Sequence, residues 1–225
     1  MPLTKNLAAL ALLASLGGAL AAPAAAGVIY SFQGVTNSNW VDVDTGRAQL
    51  SVDVSDAGGG NVAFKFMNSG PNASSITAVY FDTDDLFAGM SIVNGSGVRF
   101  SLGASPRNLP GGQNIGFDAI LSADSDSPTQ PSGVNPGESL TVLFDLANGK
   151  TYQDIIDALH GGIDLRTGLK VQAFTGGGSE SFVNNPEPAS VLLIGLGLIA
   201  LALTRRRRQA RLFATAARQV RPRTG

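Results

Sequence analysis

The chain has 225 residues, no cysteine and one histidine, and its formal net charge of −1 combines two unlike parts. Residues 27–185 carry 16 acidic and 7 basic side chains, whereas the segment from Arg205 onward has eight arginines and no acidic residue. The acidic body argues against nucleic acid as a partner, and the lack of cysteine excludes disulfides, thiolate metal sites and cysteine nucleophiles.

Residues 1–26 have the pattern of a secretory signal peptide. A single lysine precedes the apolar stretch 7–22, and Ala24 and Ala26 place small residues at the two positions that a signal peptidase recognises. We therefore predict cleavage between Ala26 and Gly27, with a cut after Ala22 as the competing site. The alternative is a membrane anchor that is not cleaved.

Within residues 27–183, short segments in which apolar and polar side chains alternate with the period of a β-strand recur between clusters of turn-forming residues. Val62, Phe64 and Phe66 share one face of a predicted strand, and residues 50–54 and 140–146 repeat the pattern. Further candidate strands share this alternation and lie at residues 28–34, 76–82, 97–102, 115–121 and 169–175. About eight short strands with turn-rich connections predict a mainly β domain, an antiparallel β-sandwich.

One short helix is predicted near residues 151–161. Thr151 is a good N-cap, Asp154 complements the positive end of the helix dipole, and Gly161 is suited to end the helix. The apolar residues Tyr152, Ile155, Ile156 and Leu159 follow helical spacing. The helix is expected to cover one end of the sandwich. His160, in its last turn, is expected to complement the dipole rather than to catalyse a reaction.

Two groups of carboxylates are candidates for oxygen ligands. The first comprises Asp82, Asp84 and Asp85, and the second comprises Asp124 and Asp126. Closely spaced carboxylates suit Ca²⁺, and Asp82 and Asp84 are the better candidates, although neither group follows an EF-hand pattern. Solvated turns are the competing interpretation, and no other cofactor is predicted.

Trp40 is the only tryptophan. It is suited to stack on a sugar, and the competing interpretation is a core residue in a strand. Paired carboxylates are also the catalytic groups of glycosidases, but their separation in space decides that function and the sequence does not give it.

Three features follow one another at the end of the chain. Pro186, Glu187 and Pro188 form an extended, hydrogen-bond-poor segment, and an uncharged apolar run follows from Ala189 to Leu203. As a helix these fifteen residues span about 22 Å, which is less than the hydrocarbon core of about 30 Å. We predict a short transmembrane helix at residues 189–204. A buried core helix is the alternative, but the run lacks a polar face. The four arginines that follow, Arg205, Arg206, Arg207 and Arg208, place the tail in the cytoplasm and the body outside.

This order of features resembles the PEP-CTERM sorting signal of Gram-negative bacteria. The resemblance implies that an exosortase, a membrane protease with transpeptidase-like chemistry, reads residues 184–208 and processes the chain. It further implies secretion by a bacterium that makes an exopolysaccharide matrix. The body resembles a recurring group of PEP-CTERM proteins with no known activity, through segments such as 74–85 and 133–146. The alternative is that the Pro-Glu-Pro segment is only a linker before an ordinary anchor.

Four regions are therefore predicted: a signal peptide at 1–26, a β-sandwich at 27–183, the sorting signal at 184–208 and a basic cytoplasmic tail at 209–225. The sorting signals that this one resembles usually end soon after the arginines, so the tail is a departure. The expected function is a non-enzymatic protein of the cell surface or exopolysaccharide matrix. Its partners are signal peptidase, exosortase, the inner membrane before processing, and exopolysaccharide. A calcium- or carbohydrate-binding module is the alternative, and a secreted glycosidase is the second alternative.

Overall fold

The computed structural model describes residues 27–188. This part of the chain is mainly β, with a few short helices. The strands are β1 (Val28–Gly34), β2 (Leu50–Gly58), β3 (Asn61–Asn68), β4 (Ser75–Thr83), β5 (Phe87–Asn94), β6 (Phe100–Leu102), β7 (Leu121–Ser125), β8 (Ser139–Leu146), β9 (Leu165–Gln172) and β10 (Glu180–Pro188). The α-helices are α1 (Trp40–Gln49), α2 (Thr129–Ser132) and α3 (Tyr152–Gly161), and a 3-10 turn spans Gly112–Ile115.

All ten strands belong to one antiparallel sheet in the order β5-β8-β3-β2-β1-β10-β9-β4-β7-β6. The antiparallel, mainly β class is confirmed, but the strands form a single, nearly closed sheet where two facing sheets were expected. Alternation along a strand marks which side chains point inward, but it does not tell whether the strands opposite belong to a second sheet or to the same curved one.

The interior of this curved sheet holds the main hydrophobic core. Phe64 of β3 lies at its centre, with no exposed surface, and its ring meets those of Phe81 and Phe144 edge to face at 5.5 Å between centroids. Val52 and Val54 of β2 align with Phe66 and Phe64 across the β2–β3 pair, so the predicted inward faces are confirmed. Burial of alternate large apolar side chains is therefore what shapes the sheet.

β4 is buried on both faces. Val79 and Phe81 point into the main core, whereas Ala78 and Tyr80 lie on the outer face with Leu109 and Phe117. The long connection between β6 and β7 supplies these last two residues and forms a second, smaller core. The predicted strand at 115–121 falls in this connection, and the strand that follows it is β7 at 121–125.

α3 confirms the predicted helix. The Thr151 side chain accepts a hydrogen bond from the backbone N–H of Asp154, the Asp154 carboxylate accepts one from the N–H of Thr151, and Gly162 ends the helix in a left-handed conformation. This reciprocal arrangement is a capping box. Ile155 and Leu159 are fully buried, so α3 packs its apolar face on the sheet.

α1 was not predicted. Its sequence, WVDVDTGRAQ, alternates valine and aspartate as a strand does, but the Asn39 side chain accepts a hydrogen bond from the N–H of Val41 and caps a helix. Trp40, the first residue of α1, is 69 % exposed, so the interpretation of Trp40 as a core residue is wrong.

Candidate functional site

The predicted sorting motif is continuous with the last strand of the sheet. β10 lies between β1 and β9, and it begins at Glu180 and ends at Pro188. Its first four residues pair with β9 on one edge, as far as Val183, and its pairing with β1 on the other edge continues to Pro188, which aligns with Tyr30. The predicted boundary between residues 183 and 184 therefore falls inside a strand.

The pairing of β10 with β1 becomes irregular at the motif. Asn184 aligns with Phe32 and Pro188 with Tyr30, so three residues of β10 face one residue of β1. Pro186 and Glu187 lie in this bulge. Bulges are one of the few places where a strand tolerates proline, because a bulged residue has no ladder hydrogen bond to lose. The motif is extended, as expected, but it is not detached from the body.

Pro188 aligns with Tyr30 of β1, and this alignment determines which way the backbone nitrogen of Pro188 points. Proline has no N–H, so this pair is not one in which both residues exchange hydrogen bonds, and the nitrogen of Pro188 faces away from β1. β9 no longer pairs with β10 at this level. Among the strands of the described chain, β1 is therefore the one that pairs with β10 at Pro188.

The two ends of the described chain lie side by side because β1 and β10 are antiparallel neighbours. Gly27, the residue after the predicted cleavage site, packs tightly on β2, where an added Cβ would lie 1.8 Å from Oδ1 of Asp53. The predicted start of the mature chain and the sorting motif therefore leave the sheet at the same end.

Several predicted residues lie outside the described part of the chain. They are Ala24 and Ala26 of the cleavage site, the transmembrane segment 189–204, and the arginines at 205–208. Within residues 27–188, no helix has the length and apolar character needed to span a membrane.

The structure separates the two predicted calcium ligands. Asp82 of β4 accepts a hydrogen bond from Nε of Arg166 at 3.0 Å and pairs with a second nitrogen of the same guanidinium, and both side chains are 17 % exposed. Arg166 also lies over the ring of Phe117, 5.2 Å from its centroid. Arg166, which also donates to the carbonyl of Ile115, thus ties β9 to Asp82 of β4 and to the β6–β7 connection.

Asp84 is exposed at the rim of a shallow pocket of about 320 Å³. The pocket is otherwise lined mainly by Asp85, Lys150, Asp154, Asp157 and Asp164. Lys150 lies 3.8 Å from the carboxylate of Asp85. In the described residues, no three histidine, aspartate or glutamate side chains come together as metal ligands would. Calcium at Asp82 and Asp84 stays a prediction, which these contacts do not favour.

The second carboxylate group has structural partners. Asp124 accepts hydrogen bonds from the N–H groups of Ser105 and Ser125, and Asp126 accepts one from the hydroxyl of Ser101. These contacts join β7 to β6 and to the chain that follows β6. His160 is exposed at the end of α3, where its ring lies 5.9 Å from that of Tyr30.

Two buried carboxylates were missed by the sequence analysis. Glu180, at the start of β10, accepts hydrogen bonds from the N–H of Asn39 and the hydroxyl of Thr36, and thus anchors the start of α1. Asp42 of α1 is 3 % exposed and its Oδ2 has no hydrogen-bond partner among the described residues. Burial, and to a lesser degree the charge of Glu180, raises the pKa of Asp42. The contact between Glu180 and Asn39 joins residues about 140 positions apart, so no local pattern in the sequence indicates it.

Comparison with protein families finds that residues 186–208 match the PEP-CTERM protein-sorting motif. Comparison with curated proteins and with solved structures finds no significant match. The matched segment begins at Pro186, within the bulge of β10, and includes all four arginines at 205–208. The chain therefore carries a PEP-CTERM protein-sorting motif, which starts inside the last strand of the described body.

Proposed function

We propose that this chain is a non-enzymatic protein of the cell surface or exopolysaccharide matrix, delivered there by an exosortase. The observation that carries the proposal is the matched sorting motif at residues 186–208. A PEP-CTERM motif implies exosortase-dependent sorting to the cell surface, with a membrane anchor at the C-terminus before processing. The chain is a substrate in that reaction.

The pairing of β10 limits where the chain is cut. A protease binds its substrate as an extended segment with accessible backbone groups, and Phe182 and Val183 pair with β1 on one edge and with β9 on the other. The ladder with β9 ends at Val183, and Asn184 is still held to β9 because its Oδ1 accepts a hydrogen bond from the N–H of Thr167; regular pairing with β1 also ends at Asn184. The cut is therefore expected on the C-terminal side of Asn184, and Glu180 stays with the body to hold α1.

The motif is tested by replacing Pro186, Glu187 and Pro188 together with alanine in the host. Alanine is accepted in a strand and restores backbone donors, so the body should fold. We expect secretion across the inner membrane to continue and a full-length form to accumulate in the membrane. Pro136→Ala, at an exposed turn, is the matched control and should be processed normally. Normal processing of the triple variant would show that the motif is not what the exosortase reads.

A polysaccharide-binding role for the body is the second candidate, and the exposure of Trp40 favours it. An indole that is 69 % exposed at the start of α1 has a face free to stack on a sugar ring. Because Trp40 is the only tryptophan, its fluorescence reports directly on binding. Titration with the host exopolysaccharide should shift the emission, and Trp40→Ala should abolish binding measured by calorimetry. No shift and no heat would remove this candidate.

A further inference from the structure

The sheet fails to close at one place, between β5 and β6. These strands follow each other in sequence but occupy the two opposite ends of the strand order. Among the described residues they are joined by hydrogen bonds of the Asn94 side chain, whose Oδ1 accepts from the N–H of Phe100 at 2.9 Å and whose Nδ2 donates to the carbonyl of Phe100 at 3.4 Å. The amide side chain thus takes the place of a backbone pair.

Beyond Asn94 the two strands separate. β6 has only three residues, so the part of β5 nearer to Phe87 has no strand beside it on this edge. The space left there forms a cleft of about 430 Å³. This volume lies within the range of roughly 300–1,000 Å³ that is typical of ligand pockets. Side chains that line the cleft include Met90, Leu102, Ala104, Arg107, Ile120 and Leu121.

β5 contributes Met90 to the wall of the cleft and forms one end of the sheet. β5 pairs with β8 on one side, and no described strand pairs with its other side. Its sequence, FAGMSIVN, has neither a charge nor a proline to protect the edge, and the irregular pairing with β8 is confined to its first residues, between Phe87 and Gly89. Opposite it, Leu102 and Ile120 are 59 % and 61 % exposed, so apolar surface faces the same opening.

We propose that this cleft binds an extended peptide segment of another protein, which adds to the free edge of β5 as an eleventh strand. A strand edge offers N–H and C=O groups in the regular order that a peptide backbone matches, and this is how strand addition gains affinity. The aliphatic lining selects apolar side chains at alternate positions of the peptide. The proposal concerns the body and goes beyond its sorting by exosortase.

The charge of the cleft adds a further requirement. Arg107 lines it, is exposed, and has no ion pair among residues 27–188. In a body with 16 acidic and 7 basic side chains, this isolated cation selects a peptide with a carboxylate near its apolar residues. The basic segment that begins at Arg205 does not meet this requirement.

The shape of the cleft excludes a second copy of the folded body as the occupant. A strand that enters between β5 and the β6–β7 side must have both of its own edges free. Within the described chain, β1 and β10 are central strands, so neither terminal strand is available to be donated. The occupant is therefore a single, unpaired segment of a different protein.

The test is a selection of random octapeptides on the full-length chain in mild detergent. We expect enriched peptides to alternate apolar and polar residues and to contain aspartate or glutamate. Fluorescently labelled synthetic copies of the enriched peptides should then bind the Arg107→Glu and Leu102→Glu variants at least about tenfold more weakly. Ile163→Glu changes another exposed apolar residue, 79 % exposed and not part of the cleft lining, and should bind normally.

Hydrogen exchange separates strand addition from other binding. A bound peptide should slow exchange of backbone amides in residues 87–94, and the unliganded variants should melt at temperatures near that of the parent because the changed side chains are exposed. The proposal is overturned if the selection enriches no alternating sequence, if both cleft variants bind as the parent does, or if exchange in β5 is unaffected by bound peptide. A chain that fails to be processed by exosortase would leave these results unchanged, so the two proposals fail independently.

Discussion

Replacement of Asn94 tests whether one side chain holds the two edges of the sheet together. In Asn94→Ala, Phe100 loses the acceptor for its N–H at 2.9 Å and a donor to its carbonyl at 3.4 Å. A net contribution of about 1 kcal/mol is typical of the first bond, and the second is longer than the usual limit of about 3.2 Å and contributes less. The expected cost is therefore about 1 kcal/mol.

Amide hydrogen exchange measures this cost at the residue concerned. A loss of about 1 kcal/mol in the opening free energy corresponds to roughly fivefold faster exchange of the Phe100 amide, and to a decrease in melting temperature of about 2–4 °C. Asn94→Asp is the comparison variant: one carboxylate oxygen still accepts from the Phe100 N–H, whereas the other replaces the Nδ2 donor and faces the Phe100 carbonyl, so exchange at Phe100 should be accelerated less than in the alanine variant. Equal exchange rates at Phe100 in the parent and the alanine variant, or equal acceleration by alanine and aspartate, would refute this account of the junction.

Two further predictions concern the core and a buried charge. Phe64→Ala removes a fully buried ring that contacts Phe81 and Phe144. It should lower the free energy of unfolding by about 3–5 kcal/mol and the melting temperature by roughly 6–20 °C. A loss below about 1 kcal/mol would mean that the core is not packed around this ring. Burial raises the pKa of Asp42, so the folded state favours the protonated form, and stability is lost as the pH rises from the ordinary carboxyl range of about 4 through the raised pKa. Asp42→Asn should therefore raise the melting temperature at pH 7 and change it less at pH 4; a lower melting temperature at pH 7 would show that the charged carboxylate stabilises α1.

Local patterns in the sequence were sufficient where one element determines its own structure. Strands β2, β3 and β8 alternate cleanly, because one face meets the core and the other meets solvent. The helix α3 has its own capping residues, Thr151 and Asp154, within a single turn. In each case the interactions that decide the structure lie within a few residues of one another.

Sequence reasoning failed where distant residues decide. The alternation in α1 suggested a strand, but the helix start is held by Glu180, which lies at the far end of the body in sequence. β5 was not predicted because its edge position leaves both apolar and small residues exposed, which weakens the alternation. The curvature of the single sheet likewise depends on all of its strands together, so the sequence of one strand does not predict it.

At the candidate site, too, the sequence predicts the features that neighbouring residues determine and misses the contacts between distant residues. The order of proline, glutamate, apolar run and arginines was readable, and the family match at residues 186–208 confirms the sorting motif. The pairing of Pro188 with Tyr30 was not readable, since the two residues are more than 150 positions apart. The engagement of Asp82 by Arg166 was hidden for the same reason.

The central position of β10 has a consequence for the order in which the molecule is assembled. The other nine strands of the described chain precede it in sequence, and the position between β1 and β9 cannot be filled until residues 180–188 have left the translocation channel. A polypeptide that emerges from a translocation channel N-terminus first must therefore wait, with two interior strand edges bare, and pairings between such distant segments form slowly. The predicted apolar stop at residues 189–203 would halt the chain just as the missing strand arrives, which gives the body time to complete itself while it is still tethered.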